Sequence, residues 1–274
     1  MSPQPVSVRR VHVVGIGAGD PRHLTLQAVD ALREVDVFLV ADKEADGSRD
    51  ARGLLEARTA VLAAHLPPGS YQVVRVPDPP RGDGERRDPA GRAAYLEGVR
   101  AWHRARTQRY AEVLDGLDPG LVVGFLVWGD PAFYDSTIRV VDAVAERVRV
   151  PLDVRVVPGI SAFQALAAAQ GTVLHEVGEP VHVTTGRRLV QEWRAARAGG
   201  VELGRVVVML DGGLACRELV GEAPDLTIWW GACLGLPQQE LRSGRLADVV
   251  DEIARVRARI RAEHGWVMDV YALG

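Results

Sequence analysis

Lysine is almost absent, with Lys43 the only one in 274 residues, and cysteine is limited to Cys216 and Cys233. The two cysteines lack the paired spacing of a zinc site. A chain this long and apolar needs no disulfide framework, so a reducing, cytoplasmic setting is expected. Histidines such as His12, His175 and His182 are scattered without ligand spacing, and no metal is expected. No apolar run approaches the roughly 18 residues of a membrane span, and no leader pattern opens the sequence, so no membrane partner is expected. No excess of positive charge exists either: the formal net charge is −3, which gives no general pull toward nucleic acid or an anionic surface. These absences leave a small molecule as the expected partner.

What is present is a large apolar fraction, 47%, over a length that favours two cores at the usual ~100–200 residues per domain. The cations are nearly all arginine, whose planar guanidinium suits carboxylates. In the middle of the chain, Leu121–Val127 is an apolar run of strand length, and Ile138, Val140, Val141, Val144 and Val148 follow at helical spacing. Gly129-Asp130-Pro131 is therefore a strand-to-helix turn at the carboxyl end of a buried strand, where open α/β sheets bind ligands. Asp130 can aim its acceptors into that crevice or hydrogen-bond its own turn.

Two more junctions have this form. Val11–Val14 leads into Gly15-Ile16-Gly17-Ala18-Gly19-Asp20-Pro21 and a helix through Leu26, Val29 and Leu32. Val154–Val157 leads into Pro158-Gly159-Ile160-Ser161 and an alanine-rich helix. The first is not a dinucleotide fingerprint, because its third glycine comes one place early and Asp20-Pro21 follows; nor is it a P-loop, because no Gly-Lys-Ser/Thr follows. Further strands are read at Val37–Val40, Tyr71–Val76, Val181–Thr185, Val206–Leu210, Thr227–Trp230 and Met268–Tyr271. The expected class is α/β, with an N-terminal domain over 8–158 and a mixed α/β domain over 159–274.

Between the third strand and the central turn, Pro77 to Pro89 reads as a surface excursion, and a helix runs from Gly91 to Leu114 with Tyr95, Val99, Trp102, Tyr110 and Val113 in one stripe. Arg106 falls on that stripe. It either snorkels at the stripe's edge or, with other arginines between Arg81 and Arg109, grips a polyanion.

Taken together, the three glycine junctions, with Leu24-Thr25 after the first and Tyr134 after the second, resemble those of the tetrapyrrole methylase family. The resemblance covers almost the whole chain. It implies two α/β domains with S-adenosylmethionine in the cleft between them, a tetrapyrrole substrate and a homodimer. The cofactor contacts it implies are Ala18, Trp128, Gly129, Asp130, Phe133, Ser161, Ala162, Met209, Leu210, Gly231 and Ala232. Ala18 stands where many members have proline, and Trp128 where many have a small residue. Asp42-Lys43, Val76-Pro77-Asp78-Pro79, Trp229-Trp230-Gly231 and Leu236-Pro237-Gln238-Gln239-Glu240 are most similar to a branch that methylates carbon one of precorrin-5 and releases acetate. Acetate release calls for a general base. Asp42 and Asp211 are the candidates, with Glu240 and His103 behind them, and Arg106 and Lys43 are candidate substrate contacts. Other openings are a sister enzyme methylating another carbon, a nicotinamide-dependent oxidoreductase, and a pigment-binding protein without turnover.

Overall fold

A computed structural model describes residues 7–42, 49–79 and 89–274. Lys43 and residues 80–88 of the expected excursion lie outside the described residues. The chain divides into two compact units, the first comprising 1–17 and 24–159, the second 18–23 and 160–274. The second therefore includes the short loop Ala18–His23, which lies within the 8–158 span expected for the N-terminal domain.

The first unit holds β1 (Arg9–Gly15), α1 (Leu26–Arg33), β2 (Val37–Asp42), α2 (Arg49–His65), β3 (Gln72–Pro77), α3 (Pro89–Gly116), β4 (Val123–Val127), α4 (Thr137–Ala145) and β5 (Leu152–Val157). The strands form one sheet in the order β3-β2-β4-β1-β5, with every pair parallel. Successive side chains of a strand point to opposite faces, and both faces are covered. Val14, Ile16, Phe38 and Leu126 pack with Leu32 of α1 and Val61 and Leu62 of α2. Val11, Val13, Leu39 and Phe125 pack with Tyr110 and Leu114 of α3 and Val140 and Val144 of α4. This is why the central strands β2 and β4 read as apolar runs, whereas β3 and β5 at the edges carry Arg75, Asp153 and Arg155. The buried guanidinium of Arg9 closes the lower end of α3, donating to the carbonyls of Leu114 at 3.2 Å, Leu117 at 2.9 Å and Asp118 at 3.0 Å.

The second unit holds α5 (Ala162–Gln170), β6 (Val181–Thr185), α6 (Gly186–Ala198), β7 (Arg205–Met209), β8 (Thr227–Ala232), β9 (Glu240–Arg245), α7 (Leu246–His264) and β10 (Asp269–Leu273). Its sheet runs β6-β7-β10-β8-β9, parallel only between β6 and β7. Ala165 and Leu166 of α5 pack on Val207, Val270 and Ala272, and Ala18 of the first glycine loop joins that cluster.

In the first unit the chain leaves β1 toward β2 and leaves β4 toward β5, in opposite directions, and β1 and β4 are neighbours. The crevice outside their carboxyl ends is the topological switch point. Three glycines set its floor. A Cβ built on Gly159 would lie 2.2 Å from the Gly129 carbonyl oxygen, and one on Gly15 would lie 2.6 Å from the Gly159 nitrogen. Both obstacles are backbone and cannot swing away. Gly159→Ala should therefore destabilise the protein by about 2–4 kcal/mol. Gly98→Ala, inside α3 with nothing within 4 Å of the added carbon, should stabilise it by about 0.5–1 kcal/mol. Urea midpoints measured at unchanged slope test both signs.

Candidate functional site

At the switch point Gly17 and Gly129 form a two-way bridge, Gly129 donating to Gly17 at 2.7 Å and Gly17 to Gly129 at 3.3 Å. Gly129 has a φ of +67°, a backbone that a side chain would strain. Its amide and carbonyl are both used by this bridge, so it offers a ligand bare surface rather than a hydrogen bond. Asp130 is committed as well: Oδ1 accepts from the Ala132 amide at 2.8 Å and Oδ2 from the Gly159 amide at 2.9 Å. Of its two possible orientations the carboxylate takes the one that ties its own turn to the third junction. Beyond it, Phe133 and Tyr134 are partly exposed, Tyr134 in the left-handed region at φ 52°. Asp135 rather than Ser136 closes the first turn of α4, accepting from the Thr137 amide at 2.6 Å.

Arg106 does not snorkel. Its Nε lies 3.3 Å from Asp78 Oδ1, the two side chains are 18% and 8% exposed, and the guanidinium stacks over Trp102 at 4.9 Å. It is one half of a shielded ion pair rather than a free cation on the stripe.

In the second unit Met209 ends β7, and Leu210 follows at φ 52° with 56% of its surface exposed. The buried Asp211 holds that turn. Its carboxylate accepts from the amides of Gly213 at 3.0 Å and Ala215 at 2.7 Å and from the Tyr271 hydroxyl at 2.6 Å. Burial pushes the Tyr271 hydroxyl well above its usual pKa, which keeps it a donor. With three internal donors the Asp211 carboxylate fastens this turn, which argues against its use as the base. Ser161 is the N-cap of α5, and both its amide and hydroxyl donate to Gln164 Oε1, at 2.9 and 2.8 Å. Ala162 opens the helix behind it. Gly231 and Ala232 close β8, and a Cβ on Gly231 would meet Leu166 and Leu234 at 2.8 Å.

Glu240 is also spoken for. Burial raises its pKa, but hydrogen bonds from Arg259 and Arg242 outweigh this and hold it below the usual carboxylate range. Asp42 stands at the carboxyl end of β2, its carbonyl accepting from the Asp78 amide at 2.8 Å. One residue that the sequence reading passed over belongs here. Arg58 of α2 lies over the Trp128 ring, 5.4 Å from its centroid. A single arginine in a weakly periodic helix carries no signal of that in the sequence.

The family profile of tetrapyrrole (corrin/porphyrin) methylases matches residues 10–250. The chain belongs to this family. Over 267 residues it is 37% identical to precorrin-6A synthase [deacetylating] of Sinorhizobium sp, spanning 97% of this chain and 95% of that one. A crystal structure of a cobalamin synthesis related protein (CobF) from Corynebacterium diphtheriae is similar with a TM-score of 0.76 and 34% identity, over 97% of this chain and 98% of that one. A uroporphyrin-III C-methyl transferase from Thermus thermophilus, complexed with S-adenosyl homocysteine, shares the fold at a TM-score of 0.54 and 22% identity, over 97% and 92% of the two chains.

In this methylase the acid at the end of β7 is a fastener. Replacing Asp211 with Ala leaves two amides and a hydroxyl without their acceptor, each worth ~1–3 kcal/mol when buried. The variant should lose roughly 3–5 kcal/mol of stability by urea denaturation, and a loss under 1 kcal/mol would return Asp211 to the list of available bases.

Proposed function

We propose that this tetrapyrrole methylase is an S-adenosylmethionine-dependent C-methyltransferase of corrin synthesis that methylates carbon one of precorrin-5 and releases acetate, giving precorrin-6A. The single observation that carries the reading is the 37% identity to the deacetylating synthase along nearly the full length of both chains. We carry into it a homodimeric state and a cytoplasmic setting. Among the described residues no helix is long and apolar enough to cross a membrane.

The residues fit the cofactor. Its adenosine part calls for apolar surface and close backbone approach, and the central turn supplies Phe133, partly exposed, and the bare face of Gly129. The buried Trp128 indole nitrogen has no hydrogen-bond partner. We assign Trp128, Gly129, Asp130 and Phe133 in the first unit, and Ala18, Ser161, Ala162, Met209, Leu210, Gly231 and Ala232 in the second, as its contacts. With Gly129, Asp130 and Ser161 occupied internally as described, their part is to shape the wall. When bound, the cofactor supplies a methyl group on a sulfonium, open to in-line displacement by a nucleophilic carbon of the pigment.

The protein's work is then alignment at ~3–3.5 Å and exclusion of water. Acetate release needs more: water adds to the acyl carbonyl, the carbon–carbon bond to the macrocycle breaks, and the electron pair returns to the ring system. A base must take the proton of that water. Asp42 is proposed for it on its place at the carboxyl end of β2, the edge where open α/β sheets bind ligands.

A nicotinamide reading finds no support in the first loop. A dinucleotide loop runs directly into a helix, whereas here Pro21–His23 forms a separate 3-10 turn, the Asp20 carboxylate is taken by Arg22 at 2.8 Å, and α1 starts only after Thr25.

The purified protein should bind S-adenosylhomocysteine in the micromolar range and neither NAD nor NADP, by calorimetry. Each turnover of precorrin-5 should yield one acetate per S-adenosylhomocysteine. Asp42→Asn should slow acetate release by ~10²-fold or more while methylation proceeds. Methylation without acetate would move the chain to a sister enzyme acting on another carbon, and coupled release unchanged by the substitution would remove Asp42 from the proposal.

A further inference from the structure

Arg58 and Trp128 stand out when the hydrogen bonds at the carboxyl edge of the first sheet are followed one by one. The acids there are engaged: Asp130 accepts from Ala132 and Gly159, Asp78 is paired with Arg106, and Asp135 accepts from Thr137. Two donors are not. The Trp128 indole nitrogen is buried and makes no hydrogen bond. An indole N–H can only donate, and leaving one without a partner costs ~1–3 kcal/mol. The Arg58 guanidinium lies over the same indole ring at 5.4 Å, and among the described residues it has neither a hydrogen bond nor an ion pair. Burial pulls its pKa down to about 10; Tyr110 and Asp135 oppose that from a distance and Arg106 adds to it. Stacking on an indole compensates only a little of what a guanidinium loses on leaving water.

A cation with a planar fork of donors thus lies over an indole whose own N–H donor is unused, and neither has an acceptor among the described residues. We infer that Arg58 and the Trp128 indole N–H together form a carboxylate-binding site at the end of β4. The fork geometry of arginine matches the two oxygens of a carboxylate, and the indole N–H supplies a further donor to one of them. The inference rests on the methyltransferase reading for the source of that carboxylate, which is either the methionyl end of the cofactor or an acid side chain of the macrocycle. Arg58 is in either case a binding residue, placed by Val61 and Leu62 one turn further along α2, which anchor the helix in the core.

The test uses two probes, S-adenosylhomocysteine and uroporphyrin III, against the wild-type protein, Arg58→Met and Arg58→Lys, with affinity read by calorimetry or tryptophan quenching. The Trp128 indole signal is assigned in a ¹⁵N spectrum by its loss in Trp128→Phe. In the wild-type protein that signal should shift when the carboxylate-bearing probe is added, a readout that needs no Arg58 variant to fold. Arg58→Met should weaken one probe at least tenfold and leave the other within twofold, and Arg58→Lys should fall between. Selective loss of S-adenosylhomocysteine assigns the site to the cofactor's carboxylate, and selective loss of uroporphyrin III to the macrocycle's; either supports the site. If both probes bind with unchanged affinity in Arg58→Met and the indole signal stays in place, the carboxylate site is overturned while the methyltransferase reading stands. If the wild-type protein binds neither probe, both fall together.

Discussion

The structure of the first unit depends on how closely β1, β4 and β5 come together at their carboxyl ends. Gly15, Gly129 and Gly159 meet there at distances that leave no room for a single carbon atom. Once the three backbones touch, the chain can cross-link them with main-chain groups: the Gly17–Gly129 bridge on one side, the Asp130–Gly159 hydrogen bond on the other. The residues that follow, Trp128 onward, are thereby fixed in direction by strands rather than by loop contacts. A ligand approaching this edge meets a rigid floor with little conformational entropy left to lose, which is the form of preorganisation that positioning reactions depend on.

Three acids, Asp130 and Asp135 near this edge and Asp211 after β7 in the second unit, share a single use. Asp130, Asp135 and Asp211 each accept from backbone amides a few residues on, and Asp211 also from Tyr271. Aspartate at the end of a strand is well suited to this, because its short side chain reaches back to the turn that follows. Such acids look catalytic in a sequence, where position and residue type are visible but saturation is not. Only a count of donors around each oxygen separates a fastener from a base.

That difference marks how far the sequence could be read. The central strands β2 and β4 of the first sheet were legible because both faces are covered there and each reads as an apolar run. The three glycine junctions were legible because glycine is demanded there by contact and leaves a visible mark. β9 was not, since Glu240-Leu241-Arg242-Ser243-Gly244-Arg245 is an edge strand paired only with β8, and its charged residues are those that keep an edge from pairing further. The grouping of Ala18–His23 with the second unit was hidden too, because it follows from Gly19 against Leu234 and Gly235 against Asp20, contacts over two hundred residues apart in sequence. Arg106 showed its place on the apolar stripe but not its partner, for Asp78 comes from the far side of a proline-rich segment.

The second unit reaches a similar end by a costlier route. Leu210 and Cys233 follow β7 and β8 in the left-handed region, at φ 52° and 51°, as Tyr134 does after β4. For residues with a Cβ this conformation costs roughly 1–2 kcal/mol each, and a glycine would remove the cost. Keeping a side chain there means something else must hold the turn. At Cys233 the amide donates to Met268 at 2.8 Å. At Leu210 the next residue is Asp211 with its three donors, and Arg257 adds a bond to the Asp211 carbonyl at 2.5 Å while pairing with Asp269 at 2.9 Å. Asp269 in turn accepts from Trp230 at 2.8 Å. This buried network spans β7, β8, β10 and α7, and it presents at its end one leucine that is both strained and more than half exposed. A residue in that position contributes nothing to the core it stands beside. Strain and exposure together give Leu210 a place that the core does not account for, and they are the observations behind its proposed contact with the cofactor.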